Sequence, residues 1–167
     1  MVTVQQMLDN SKAKKRDSAD VEILEISVPH YDRAQKKLSV SAVVKSSKGT
    51  GYNVRVAFFD VEDQGMKPEE LAAGNFPIPD DIMNKPVKVD CDCMDYTLGG
   101  ALKGNLKHNA ALYTDAQLTN YKKKTDRPEN NPENLPYGCK HVTSVLKTVL
   151  DILKSTKNIT DQMNDKN

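Results

Sequence analysis

Every cysteine in the chain falls in one of two short stretches. The first is Val89-Asp90-Cys91-Asp92-Cys93 and the second is Tyr137-Gly138-Cys139-Lys140-His141, which also holds one of the three histidines. Thiolates and an imidazole are the donor set that suits Zn²⁺, which takes four such ligands in a tetrahedron. Cys91, Cys93, Cys139 and His141 would fill one site and leave no open position for a substrate or water. Three buried free cysteines beside a core histidine would be the alternative without chemistry. A catalytic zinc, or a Cys139/His141 nucleophile pair, fits less well. The closed ligand set leaves no vacant coordination position, and no third group that would orient the histidine is evident.

The elements that must carry these residues can be read from pattern. Lys85-Pro86-Val87-Lys88-Val89-Asp90-Cys91 alternates as a strand, with Val87, Val89 and Cys91 on one side. Residues two apart on a strand point the same way, so Cys93 continues on that side while Asp92 points away. Inside a regular helix, residues two apart diverge by about 200°. Cys139 and His141 therefore have to straddle a helix entrance. Gly138 would permit the turn, and Pro136 keeps the chain before it out of the helix. A helix N-terminus also favours a thiolate. Downstream, Val142, Val145, Leu146, Val149, Leu150 and Leu153 recur at helical spacing, giving the clearest amphipathic helix of the chain. The metal would clamp strand end to helix start and close the loop between them.

The pattern Cys91-x-Cys93 on a strand, then Cys139-x-His141 at the start of a helix, resembles the SWIM-type zinc finger over roughly residues 86–154. That resemblance implies these four residues as the zinc ligands and a role in binding protein or DNA. The stretch Asn131-Pro132, Pro136-Tyr137-Gly138-Cys139-Lys140-His141, with Asp95-Tyr96 after the first cysteine pair, also looks like segments of structural proteins of large tailed bacteriophages. This second likeness implies a virion component.

The remaining chain reads as one α+β domain: a small antiparallel sheet packed on the C-terminal amphipathic helix, with the zinc site joining strand end and helix start. Thr3-Val4-Gln5-Gln6 has the form of a capping box. It opens a short helix or arm within residues 1–18, either lying on the surface or docking on a neighbouring subunit. The domain proper spans 19–157. Val21, Ile23, Ile26 and Val28 suggest a strand with a bulge near Leu24, ended by Pro29-His30-Tyr31-Asp32. Residues 37–44 and 52–58 alternate cleanly across a Gly/Ser-rich turn, which predicts a hairpin with one buried face. The acidic 60–81 segment is expected to be a solvated connection with a short helix opening at Pro68. Residues 94–138 form a long insertion, with a helical turn expected at 114–119. Residues 158–167 form a polar tail that would fray alone.

Composition narrows the function. With 167 residues, no Trp, three Phe and a net charge of +1, the chain can build a modest core and exerts no global pull on nucleic acid or anionic membranes. It lacks an apolar run of about 18 residues, so no transmembrane helix is expected, and its N-terminus does not read as a secretory signal. The odd cysteine count speaks against a disulfide framework. A soluble protein made in a reducing cytoplasm follows, with incorporation into a virion implied by the phage likeness.

The expected role is a non-enzymatic structural or assembly protein contacting other subunits in a homo- or hetero-oligomer. No acid/base pair, nucleophile motif or phosphate loop stands out. The other role is nucleic-acid binding through the basic 101–127 segment. There Lys103, Lys107, Lys122, Lys123, Lys124 and Arg127 are interleaved with Tyr113 and Tyr121, which could stack on bases. A plain solvated loop, or one pairing with the acidic 60–81 segment of another subunit, would account for the same charges.

Overall fold

The computed structural model describes residues 1–16, 21–45, 49, 51–98, 100–113, 119 and 131–166. In chain order these form α1 (Val4–Ala13), β1 (Ile23–Ile26), β2 (His30–Asp32), β3 (Lys37–Lys45), β4 (Gly51–Phe58) and α2 (Pro68–Ala72). A 3₁₀ turn (Ile82–Asn84), β5 (Val87–Cys91), α3 (Met94–Leu98), α4 (Ala101–Lys107) and α5 (Lys140–Asn164) follow. The α+β reading from sequence holds.

The sheet is antiparallel, in the order β1-β3-β4-β5, with β2 also pairing β3. β1 and β2 thus share one edge of β3. The register shifts between Ile23 and Glu25, so the bulge expected near Leu24 is present. Pro29 to Asp32 do more than end β1: His30, Tyr31 and Asp32 pair with Ser39, Leu38 and Lys37 as a strand of their own. Three aligned rows cross the sheet on its buried face: Leu38–Phe58–Val87, Val40–Val56–Val89 and Ala42–Val54–Cys91. The alternation in β3 and β4 made this face legible, because one side of a strand collects every second residue. On the opposite face Arg55 and Asp90 are cross-strand partners joined at 2.8 Å.

Against the buried face lies α5. Val142, Val145, Leu146, Val149 and Leu153 are all 1% exposed or less, which is the stripe the spacing predicted. The helix runs further than its apolar stripe. Residues 158–164, expected as a frayed tail, are its last turns and are exposed. An ion pair from Lys157 to Asp80 fastens the helix near that point.

Two other expectations change. The N-terminal segment docks on its own chain. The Thr3–Gln6 capping box forms, with the Gln6 amide donating to Thr3 Oγ1 at 3.2 Å and the Thr3 amide donating to Gln6 Oε1 at 3.0 Å. Val4 and Met7 enter the core, and Val2 and Val4 hydrogen-bond alongside Val87 and Lys85. The 94–138 insertion is no loose loop at either end. Tyr96, Ala101, Leu102, Ala110 and Tyr137 all belong to the core. Residues 110–112 run parallel to β5, with Val89 N–H donating to Ala110 O and Leu112 N–H to Val89 O, both at 2.9 Å. Short, polar α3 and α4 lack the apolar period that would have announced them. The helical turn expected at 114–119 lies outside the described residues, save Thr119.

The acidic 60–81 connection includes the short helix opening at Pro68. Much of its charge is answered within the chain, by Arg33–Asp63, Lys36–Glu62, Lys85–Asp81 and Lys157–Asp80. No helix among the described residues is long and apolar enough to cross a membrane.

Candidate metal centre

Cys91 ends β5 and faces the core in the row Ala42–Val54–Cys91. Cys93 is not on the strand, as the alternation had placed it: β5 stops at Cys91, and Cys93 is the last residue before α3, its carbonyl accepting Thr97 N–H at 3.1 Å. Cys139 is the N-cap of α5, its carbonyl accepting Thr143 N–H at 2.9 Å, and His141 lies in the first turn. The pair therefore straddles the helix entrance as the spacing required. The reason for Gly138 is different from the expected turn. An added Cβ there would stand 2.6 Å from Val142 Cγ1, so close approach to the helix, rather than backbone freedom, demands glycine.

One ligand atom from each of Cys91, Cys93, Cys139 and His141 lies within 4.8 Å of all the others, and all four residues are buried. Cys93 Sγ is 3.6 Å from Cys139 Sγ. His141 presents Nδ1 to the group, 3.9 Å from Cys139 Sγ and 4.0 Å from Cys91 Sγ. Its ring packs on Tyr52 with centroids 5.1 Å apart, which holds the imidazole plane. Asp92 points away as expected and accepts from both the amide and the side chain of Asn53, at 2.9 and 3.0 Å.

The electrostatics favour a cation. By themselves the three thiols cannot all ionise in so small a buried volume. Hydrogen bonds from the Cys139 and Cys91 thiols drive Cys93 strongly toward thiolate, helped by the Tyr96 amide that donates to its sulfur at 3.3 Å. Its bonds to Cys139 and Cys93, then burial, push Cys91 far up. Burial likewise pushes Cys139 up, outweighing the helix-entrance amide of Val142 that favours the thiolate. A cation reverses this competition, since all three sulfurs can then ionise around one positive charge.

Polar side chains to which the sequence gave no role at the site brace the two halves. Tyr96 Oη donates to Val89 O at 2.8 Å. Asn105 Nδ2 donates to Tyr96 Oη at 3.2 Å and to Tyr137 O at 2.9 Å, linking the strand half to the helix half. Asn131 Nδ2 donates to Gly100 O and Leu135 O, while its Oδ1 accepts Leu135 N–H at 3.0 Å. Gly104 lets that segment lie against α4, for an added Cβ would sit 2.0 Å from Leu135 O. Tyr96, three residues beyond Cys93, could have been suspected as an amide donor. Asn105 gave no signal in the sequence, and Asn131 stood out only as part of the stretch likened to phage structural proteins.

Of the residues considered for nucleic acid, Lys103 and Lys107 lie on α4, with Lys107 exposed and Lys103 half-buried. Tyr121, Lys122, Lys123, Lys124 and Arg127 lie outside the described residues. The structure does not bring Lys103 or Lys107 into the cysteine–histidine cluster.

Fold and site together define an α+β domain with a buried three-cysteine, one-histidine group able to hold a metal ion. No protein-family model, curated protein or solved structure matches the chain.

Proposed function

We propose that Cys91, Cys93, Cys139 and His141 hold a structural Zn²⁺ in a SWIM-like arrangement, and that the protein is a non-enzymatic structural component of an assembly. The observation that carries this reading is the closed, buried ligand set. A zinc tetrahedron with Zn–S bonds of about 2.3 Å and Zn–N bonds of about 2.0–2.1 Å has edges of about 3.5–3.8 Å. Three of the spacings in the cluster, 3.6, 3.9 and 4.0 Å, lie close to those edges, and all of them fall within 4.8 Å. Four protein ligands leave zinc no position for a reacting water, which favours a staple over catalysis.

The assembly role draws support from exposed apolar side chains: Leu24 in β1, Val28 just after it, and Ile159 and Met163 on the last turns of α5. The likeness of the Pro136–His141 segment to tailed-bacteriophage structural proteins makes a virion the assembly proposed. Nucleic-acid binding is the competing reading, supported by exposed Lys107 and Tyr113 at the start of the basic stretch.

Metal analysis and DNA titration of the purified full chain test these points together. One equivalent of zinc is expected, with no DNA affinity at low salt and self-association or capture by particle proteins in sedimentation. Zinc well below one equivalent removes the metal reading. Tight, salt-dependent DNA binding by a monomer replaces the assembly role with the nucleic-acid one.

A further inference from the structure

We propose that the N-terminal helix is a working part of the metal centre. In this reading, which rests on the metal assignment above, Ser11 and Asn10 are positioning residues that hold Cys139 and His141 in place. Retention of the ion and docking of α1 are then coupled.

Pro136, Tyr137 and Gly138 belong to no strand or helix, so side chains of other elements must satisfy their polar groups. Asn10 Nδ2 donates to Pro136 O at 2.8 Å, and Asn105 Nδ2 donates to Tyr137 O at 2.9 Å. Gly138 N–H donates to Ser11 Oγ at 2.9 Å, and that hydroxyl donates in turn to Met7 O at 2.7 Å. Ser11 is 1% exposed, so neither bond can be exchanged for one to water. Two of these three bonded groups are thus gripped by α1, and the last of them adjoins Cys139.

The helix also reaches the first half-site. Arg16, just past its end, pairs with Asp95 of α3 at 3.0 Å, two residues beyond Cys93. Lys14 pairs with Glu133 at 3.0 Å on the chain leading back to Cys139. Thus α1 brackets both halves of the cluster from outside. Supporting hydrogen bonds of this kind set ligand geometry, and their removal typically weakens metal binding about 10–100-fold. Linkage makes the coupling reciprocal: a helix that improves ion binding is itself stabilised by the ion.

The test uses the full chain, with Zn²⁺ affinity and release measured by competition with a chelator and Co²⁺ substitution as the spectroscopic readout. Ser11→Ala and Asn10→Ala are expected to weaken zinc binding and speed its release about 10–100-fold. Thr3→Ala removes the N-cap of the same helix without touching residues 136–138. It should lower the unfolding temperature while weakening zinc binding far less than Ser11→Ala does, because the bonds to residues 136–138 remain. In the unmutated chain, adding zinc should slow amide hydrogen exchange within α1. If Ser11→Ala does not fold, Asn10→Ala, at a half-buried position, carries the comparison. The proposal is overturned if the unmutated chain loads zinc while both variants hold it as tightly and α1 exchange is unmoved. An unmutated chain that takes up neither Zn²⁺ nor Co²⁺ overturns instead the metal assignment beneath it.

Discussion

Cys93 Sγ and Cys139 Sγ stand 3.6 Å apart across 46 residues of chain. Neither strand pairing nor helix periodicity brings them together. The contact exists because β5 ends, and α5 begins, at the same point of the core. If a metal ion holds these sulfurs, it also protects them. The zinc-loaded protein should resist a thiol oxidant such as diamide. After zinc is stripped, peptide mapping should find a Cys93–Cys139 crosslink, since closing to a disulfide needs only about 1.6 Å of further approach. Equal reactivity with and without chelator would count against the metal.

Metal removal should also cost stability. A ligand present at about a thousand times its dissociation constant adds about 4 kcal/mol to the native state. Chelator should therefore lower the thermal unfolding midpoint of the unmutated chain by several degrees. Cys91→Ser should lower it similarly and abolish the response to chelator. A Cys91→Ser protein that unfolds at the unmutated temperature would contradict the assignment.

Tyr96 is fully buried, and its hydroxyl is both donor and acceptor, to Val89 O and from Asn105 Nδ2. Tyr96→Phe keeps the ring but leaves one Asn105 Nδ2 hydrogen without its acceptor, while Val89 O keeps its bond from Leu112 N–H. The expected loss is about 1–3 kcal/mol in urea unfolding, the usual cost of an unsatisfied buried polar group. A neutral result would mean that water or a rearrangement replaces the bond.

Gly104→Ala puts a methyl group against the Leu135 carbonyl, where an ideal Cβ falls 2.0 Å from the oxygen. Relief requires the backbone of one segment to move. Overpacking of this kind costs about 1–3 kcal/mol, and more where backbone resists. Ordinary helix propensity would make the same change stabilising, so the sign of the measured change decides between the two effects.

Acid should weaken the fold through surface carboxylates. A backbone bond from Gly65, then Arg33, lowers Asp63 from its ordinary 3.8. Lys14 holds Glu133 below its ordinary 4.5. A group lowered on folding contributes stability that is complete above its unfolded value and lost as pH falls through its folded one. Urea midpoints taken from about pH 6 down to about pH 2 should hold level and then decline below these ordinary values, and Glu133→Gln should remove part of the decline. An unchanged profile would show that the Lys14–Glu133 pair contributes nothing in solution.

Much of this was readable beforehand. Alternation in β3, β4 and β5 and the stripe of α5 announce themselves because burial imposes a period on any element with one wet side. The Thr3–Gln6 box was legible because a cap is a local bargain between residues three apart. The four candidate ligands were legible because chemistry restricts the residue types. Less visible were α3 and α4, too short to show a period, and β2, which looked like the end of β1.

The sequence by itself determined which residues could bind a metal, that Cys91 faces the core from a strand end, and that Cys139 and His141 must flank a helix start. Each of those is fixed by local backbone geometry. Only the tertiary structure decided that the four atoms meet within one buried volume. It alone assigned Tyr96, Asn105 and Ser11 to support them and turned the N-terminal arm inward against its own core. Those relations join residues as far apart as Ser11 and Gly138, 127 positions distant. A hydrogen bond at that range depends on how elements pack, and no local pattern in the chain encodes it.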